Sequence, residues 1–125
     1  MRQLLTVLAV CLFGGSCSYA VPDIPSVPAN PTYDHDIWPL FQDHCLLCHS
    51  SPPDHGAPTY FRLDVYSDVT NDGNTVSGAQ TMAGTAVYDV QIKRMPPGAK
   101  SGDGVGPNGL QMLLNWQNSV PPFPK

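Results

Sequence analysis

The pattern Cys45-Leu46-Leu47-Cys48-His49 constrains this chain more than anything else in it. Its two cysteines are three residues apart, so on one helical turn both thiols lie on the same face. Thiols so placed can each add across one vinyl group of a haem and form thioethers. The residue after the second cysteine then carries its imidazole beneath the porphyrin, where a ring nitrogen binds iron as the proximal ligand. The motif is specific, because three residues must fall at fixed offsets in a chain with only four cysteines. The spacing predicts one covalently bound haem c, linked through Cys45 and Cys48 and ligated by His49.

Three other uses of a Cys-x-x-Cys pair fit less well. A zinc site wants four ligands, and neither a second cysteine pair nor a His-x-x-x-His follows. A thioredoxin-like redox pair belongs beside a βαβ pattern, and the sequence has none. A plain disulfide across so short a loop would staple very little of a fold.

The start of the chain reads as an export signal. Arg2 gives a positive start, and Leu4 to Phe13 is an apolar run of signal-peptide length, too short to span a bilayer. Residues 1–20 are therefore expected to be a leader removed after Ala20, with Cys11 lost inside it. Gly14-Gly15-Ser16-Cys17 resembles a bacterial lipobox without its usual leucine, so Cys17 stands as a candidate lipid anchor and membrane tether. Either exit places the protein in the periplasm or on the outer face of a bacterial membrane, where covalent haem attachment takes place. About 105 residues remain after cleavage, enough for one domain with a thin core.

Composition excludes more than it assigns. Ten acidic residues, all Asp, face six Lys and Arg, so no basic patch points to nucleic acid. The mildly acidic balance suits a basic patch on a protein partner.

Residues 21–32 carry four prolines in twelve positions and read as an extended linker without a core of its own. From Tyr33 to His49 the pattern is helical: Asp34 or Asp36 at the start, Pro39 in the first turn, and Ile37, Leu40, Phe41 and His44 at helical spacing. His44 reads as a partly exposed helix-surface histidine. Residues 50–58 form a turn-rich loop in which His55 is a solvated residue or a hydrogen-bond donor to a haem propionate. Tyr60 to Val69 suggests a short helix, with Arg62 either a propionate partner or an ordinary surface arginine. Thr70 to Gly84, polar and rich in Gly and Asn, reads as a loop. Thr85 to Arg94 reads as a short helix capped by Thr85, although its Val and Ile also suit a strand.

That helix leads into Met95-Pro96-Pro97-Gly98. A haem iron held by histidine often takes methionine sulfur on its other side, which raises the potential. Two prolines stiffen the backbone after Met95, so a loop can present one side chain without a helix behind it. Met95 is thus the first candidate for distal ligand. Met82 in a Gly-rich stretch follows, and an open or histidine-filled sixth site comes third. Met112 lies on an apolar helix, where packing is the default role. Residues 99–108 are a surface loop lacking the Lys-Ser/Thr pair of a phosphate loop. Asn108 caps a last helix, Gly109 to Ser119, with Leu110, Leu113 and Leu114 as its stripe and Trp116 as a core aromatic. Pro121, Pro122 and Pro124 end it.

From Tyr33 to Pro122 this layout resembles small bacterial class I c-type cytochromes, and it looks most like planctomycete-type cytochrome c domains. The shared features are Cys45-x-x-Cys48-His49, Met95-Pro96-Pro97, and a helix closing on Leu113-Leu114-Asn115-Trp116. The resemblance implies an all-α, cytochrome c-like domain over residues 33–125, wrapped around one covalent haem. It implies thioethers at Cys45 and Cys48, His49 and Met95 as axial ligands, and the helix around Leu40 and Phe41 crossing the helix around Leu113 and Trp116. Two positions depart from the family: its usual Trp-Ile pair is Trp116-Gln117 here, and its Gly-Ala turn is Ser119-Val120.

The expected function is one-electron transfer between a redox donor protein and an acceptor, without bond-making catalysis. Two other readings stay open. One is a haem enzyme or gas sensor with a free sixth site, for which His35 or His55 would have to supply distal acid–base chemistry. The other is a haem subunit tethered through Cys17 to a larger redox complex.

Overall fold

The computed structural model describes residues 23–97 and 104–125. The leader, Cys11, Cys17 and the cleavage position after Ala20 lie outside these residues. The described residues form a small, mostly helical domain of three helices and a minor two-stranded hairpin. No helix among the described residues is long and apolar enough to cross a membrane.

The first helical stretch begins wide. Over Tyr33–Ile37 the backbone bonds five residues back, with Ile37 N donating to Thr32 O and Trp38 N to Tyr33 O. Pro39 brings no N–H to the turn it opens, and α1 then runs over Trp38–His44. Asp36 reaches back to accept the Thr32 N–H at 2.9 Å, which satisfies a donor at the start of the stretch. Tyr33, Ile37, Leu40 and Phe41 fall on one face and are buried.

Between residues 60 and 78 the chain forms no helix, which corrects two expectations. Tyr60 to Val69 is not a helix. Phe61 and Leu63 are buried at alternate positions, the period of a strand, and residues 60–62 exchange backbone hydrogen bonds with Ser77. Nor is the stretch from Thr70 to Gly84 all loop. Strand β1, Val69–Asn71, pairs antiparallel with β2, Asn74–Val76, in the register Val69 to Val76. Asp72 and Gly73 turn the corner with φ of 49° and 79°, the two positive values that a tight hairpin needs.

Helix α2 covers Ala79–Gln91, so it starts six positions before the expected Thr85. Its first N–H groups are satisfied by distant backbone: Ala79 N donates to Val65 O and Gln80 N to Tyr66 O, while Gly78 N donates to the Asp68 carboxylate. Ala79, Ala83 and Val87 form its buried stripe.

Helix α3 covers Gly106–Asn118, with Pro107 in its first turn. Asn108 is not its cap. The carboxylate of Asp23 accepts the N–H groups of Asn108 and Gly109 at 3.1 and 3.2 Å, and the Asn108 amide donates to Ile24 O. Asn115 donates to Pro28 O in the same way. Residues 23–32 therefore lie along α3 rather than standing off as a linker, with Ile24 and Val27 packed on the core and Pro31 fully buried.

The α3 stripe that enters the core is Gly109, Met112, Leu113 and Trp116. Leu40 of α1 comes so near Gly109 that a Cβ there would sit 3.3 Å from its Cδ1. The Phe41 and Trp116 rings meet edge to face at 6.1 Å. The first and last helices thus pack on each other through Leu40, Phe41, Gly109 and Trp116, and α2 packs on α3. The proline-rich tail does more than end the chain. It turns back so that Phe123 N donates to Trp116 O, while Pro124 O accepts from Trp116 Nε1 and from the Tyr33 backbone N–H.

Candidate functional site

Helix α1 ends at His44, but turning backbone continues past it. Cys45 N and Leu46 N both donate to Phe41 O, and then Cys48 N and His49 N both donate to Cys45 O, at 3.1 and 2.9 Å. One further turn therefore carries Cys45, Cys48 and His49 together at the end of α1. Both cysteines are half-buried and not joined in a disulfide. Burial, reinforced by the neighbouring Cys48, pushes the Cys45 thiol up to about 12, so it is held as a thiol at neutral pH.

Among the described residues His49 is the one buried polar side chain, at 7 % exposure. Its carbonyl accepts Leu63 N–H at 2.8 Å, and its ring lies 4.6 Å from the Phe61 ring, tilted by 47°. The extended 60–63 segment therefore backs the histidine on two levels, main chain and side chain. Burial lowers the imidazole pKa, which favours the neutral ring with a free lone pair. Its Nδ1 is buried with no hydrogen-bond partner. Buried polar nitrogens are rarely left that way, and such exceptions mark functional atoms or places where a ligand belongs.

Met95 comes from a different element. It follows the end of α2, half-buried, and its N–H donates to Asp89 O at 3.1 Å. Met82 lies inside α2 and packs against the core, and Met112 is buried within it. The structure thus gathers Cys45, Cys48 and His49 on one turn and fixes Met95 at the exit of α2.

The other candidates are taken up locally. Arg62 forks onto Asp64, with Nε 2.8 Å from Oδ1 and the second nitrogen on Oδ2, so its guanidinium already has a carboxylate. His55 is exposed at φ 51° and leans on Asp54, 3.4 Å away. His35 is exposed and bonded to Asp36, which raises its pKa. His44 is half-buried, and that burial lowers its pKa against the pull of Asp43 and Asp23.

Phe61 and Leu63 escaped the sequence as supports for His49. Their alternation was visible, but which residue they back depends on a chain reversal through the 50–58 loop. Among the described residues no three His, Cys or Asp side chains gather closely enough to hold a metal ion, so the cysteine pair has no second pair of protein ligands beside it. Among the described residues the sheet is one antiparallel hairpin, without a βαβ unit. Chemically, the turn offers two thiols able to add to activated double bonds and one neutral imidazole able to donate a lone pair. No protein-family model, curated protein or solved structure matches the chain.

Proposed function

We propose that the protein is an exported monohaem c-type cytochrome that carries single electrons between redox proteins. The observation that carries this reading is the turn at Cys45–His49, where two thiols and a buried, unpartnered imidazole nitrogen sit together. That donor set fits a covalent haem: the cysteines would hold the porphyrin edge, and His49 would hold the iron from one side. Met95 would hold it from the other. Bound there, the haem supplies reversible ferric–ferrous chemistry.

The chain's own residues do the rest. Phe61 packs on the His49 ring and limits its rotation, and the Leu63 N–H fixes the backbone beneath it. Leu40, Phe41, Leu113 and Trp116 keep water from the side of the turn that faces the core. If His49 and Met95 both held the iron, the haem would exchange electrons without binding a substrate there, which is the behaviour of a carrier. Export through residues 1–20 belongs to the same proposal, because attachment takes place outside the inner membrane.

The test is mass and ligand binding of protein exported from a host able to mature c-type cytochromes. The parent should carry one haem in excess of its polypeptide mass, and Cys45→Ser with Cys48→Ser should carry none. Met95→Ala should keep the haem yet bind cyanide readily. A Met95→Ala protein that binds cyanide no faster than the parent would remove Met95 from the iron and return the open-site reading to first place.

A further inference from the structure

The end of α2 is built around one residue, Asp89. Its carbonyl accepts Arg94 N at 2.8 Å and Met95 N at 3.1 Å, while Lys93 N donates to Val90 O. This is the doubled bonding of a Schellman motif, with Lys93 in the left-handed position at φ 60°. The Asp89 side chain grips the same segment. Its carboxylate is 15 % exposed, and Oδ1 is fully buried with no hydrogen-bond donor aligned on it. Among the described residues Oδ1 faces the Arg94 charge, with Nη1 at 3.1 Å. A buried carboxylate oxygen without that charge would be uncompensated, so Arg94 is drawn back over the last turn of the helix. A cation there is also favoured by the carbonyl end of the helix.

We propose that Asp89 and Arg94 are positioning residues for Met95, clamping the backbone just before it so that the thioether is held ready as the second iron ligand. The inference rests on the reading of Met95 given above. Two atoms of one residue, the Asp89 carbonyl and carboxylate, fix residues 94 and 95 by independent contacts. Met95 is then followed by two prolines that restrict its other side. Without the clamp the segment keeps its helix-terminal bonds and loses the charge that presses it down.

The test is cyanide binding to ferric holoprotein whose covalent haem has been verified by mass. The parent should show the far-red sulfur-to-iron band and bind cyanide slowly. Asp89→Asn and Arg94→Gln should each keep the haem and bind cyanide about fivefold faster, a factor equivalent to about 1 kcal/mol. The double variant should be no faster than either single one. Arg94→Lys should return the rate to within about twofold of the parent, because the contact uses one nitrogen and an ammonium can replace it. Arg94 is largely exposed, so Arg94→Gln tests the clamp even if Asp89→Asn fails to fold. Unchanged cyanide rates in Arg94→Gln, with the far-red band present in the parent, would overturn the clamp and leave Met95 ligation standing. A parent without that band would overturn both.

Discussion

Trp116 is fully enclosed, and it is the residue on which both ends of the domain meet. Its ring touches Tyr33, Phe41 and Phe123 with centroids 5.1–6.3 Å apart, and its Nε1 donates to Pro124 O at 2.8 Å. An indole can serve both as apolar body and as donor, which phenylalanine cannot. Trp116→Phe should therefore lower stability by about 1–3 kcal/mol, combining a lost hydrogen bond with lost volume. Urea unfolding would read this directly, and an unchanged midpoint would mean that the indole is not what pins the tail. A core role for Trp116 was legible from its helical spacing. Its partner was not, because Pro124 lies in a segment whose prolines signal only where a helix stops. The same holds for the candidate site. The order of Cys45, Cys48 and His49 is written in the sequence, whereas the burial of His49 depends on Phe61 and Leu63 folding back over it.

At the scale of elements, α2 begins where the 65–68 segment lets it begin. Gly78 is pressed against that segment, and a Cβ there would land on the carbonyls of Tyr66 and Ser67, so even alanine would force the two apart. Asp68 completes the junction. Hydrogen bonds from the Thr81 side chain and from Gly78 N hold its carboxyl below the ordinary range. A carboxyl with a depressed folded pKa contributes stability above its unfolded pKa of about 3.9, and loses it as pH falls through the folded value. Acidification from about pH 5 to about pH 2 should thus destabilise the parent more than Asp68→Asn, which keeps an acceptor for Gly78 but does not titrate. Melting temperatures across that range would show it, and parallel curves for the two proteins would contradict it. The α2 start could not be read from local sequence, since its caps are non-local and Gly84 interrupts the helical signal. The hairpin reads as loop in the sequence, although it leaves a local signal. Asp72-Gly73 between Val69 and Val76 is a strong two-residue turn signal, hidden only by the polar residues around it.

Across the whole molecule, the parts most distant in sequence hold one another. The 23–32 segment lies along α3, the tail covers Trp116 and bonds to Tyr33, and the Tyr66 hydroxyl donates to Phe123 O. Asp23 matters most among the early residues, because it takes two N–H groups at the start of α3 that no other described residue caps. Asp23→Ala should lower stability by about 1 kcal/mol, the usual value of a helix cap, and hydrogen exchange should rise first at Asn108 and Gly109. Uniform exchange with no local increase there would show that α3 does not depend on that carboxylate. The proline pattern of residues 21–32 suggested a segment outside the domain, because proline signals extended backbone and says nothing of what that backbone lies against.

The proposed haem at the Cys45–His49 turn, with Met95 as the second iron ligand, has a direct spectroscopic signature. The measurement that tests it most directly is the visible absorption spectrum, oxidised and reduced, of protein exported from a host that matures a control cytochrome. A haem held by His49 and Met95 would give sharp low-spin c-type bands on reduction and a weak far-red sulfur-to-iron band when oxidised. High-spin bands would mean an open iron and make the enzyme or sensor reading the better one. Absence of haem bands beside a mature control would contradict the account altogether and leave Cys45 and Cys48 as a simple thiol pair.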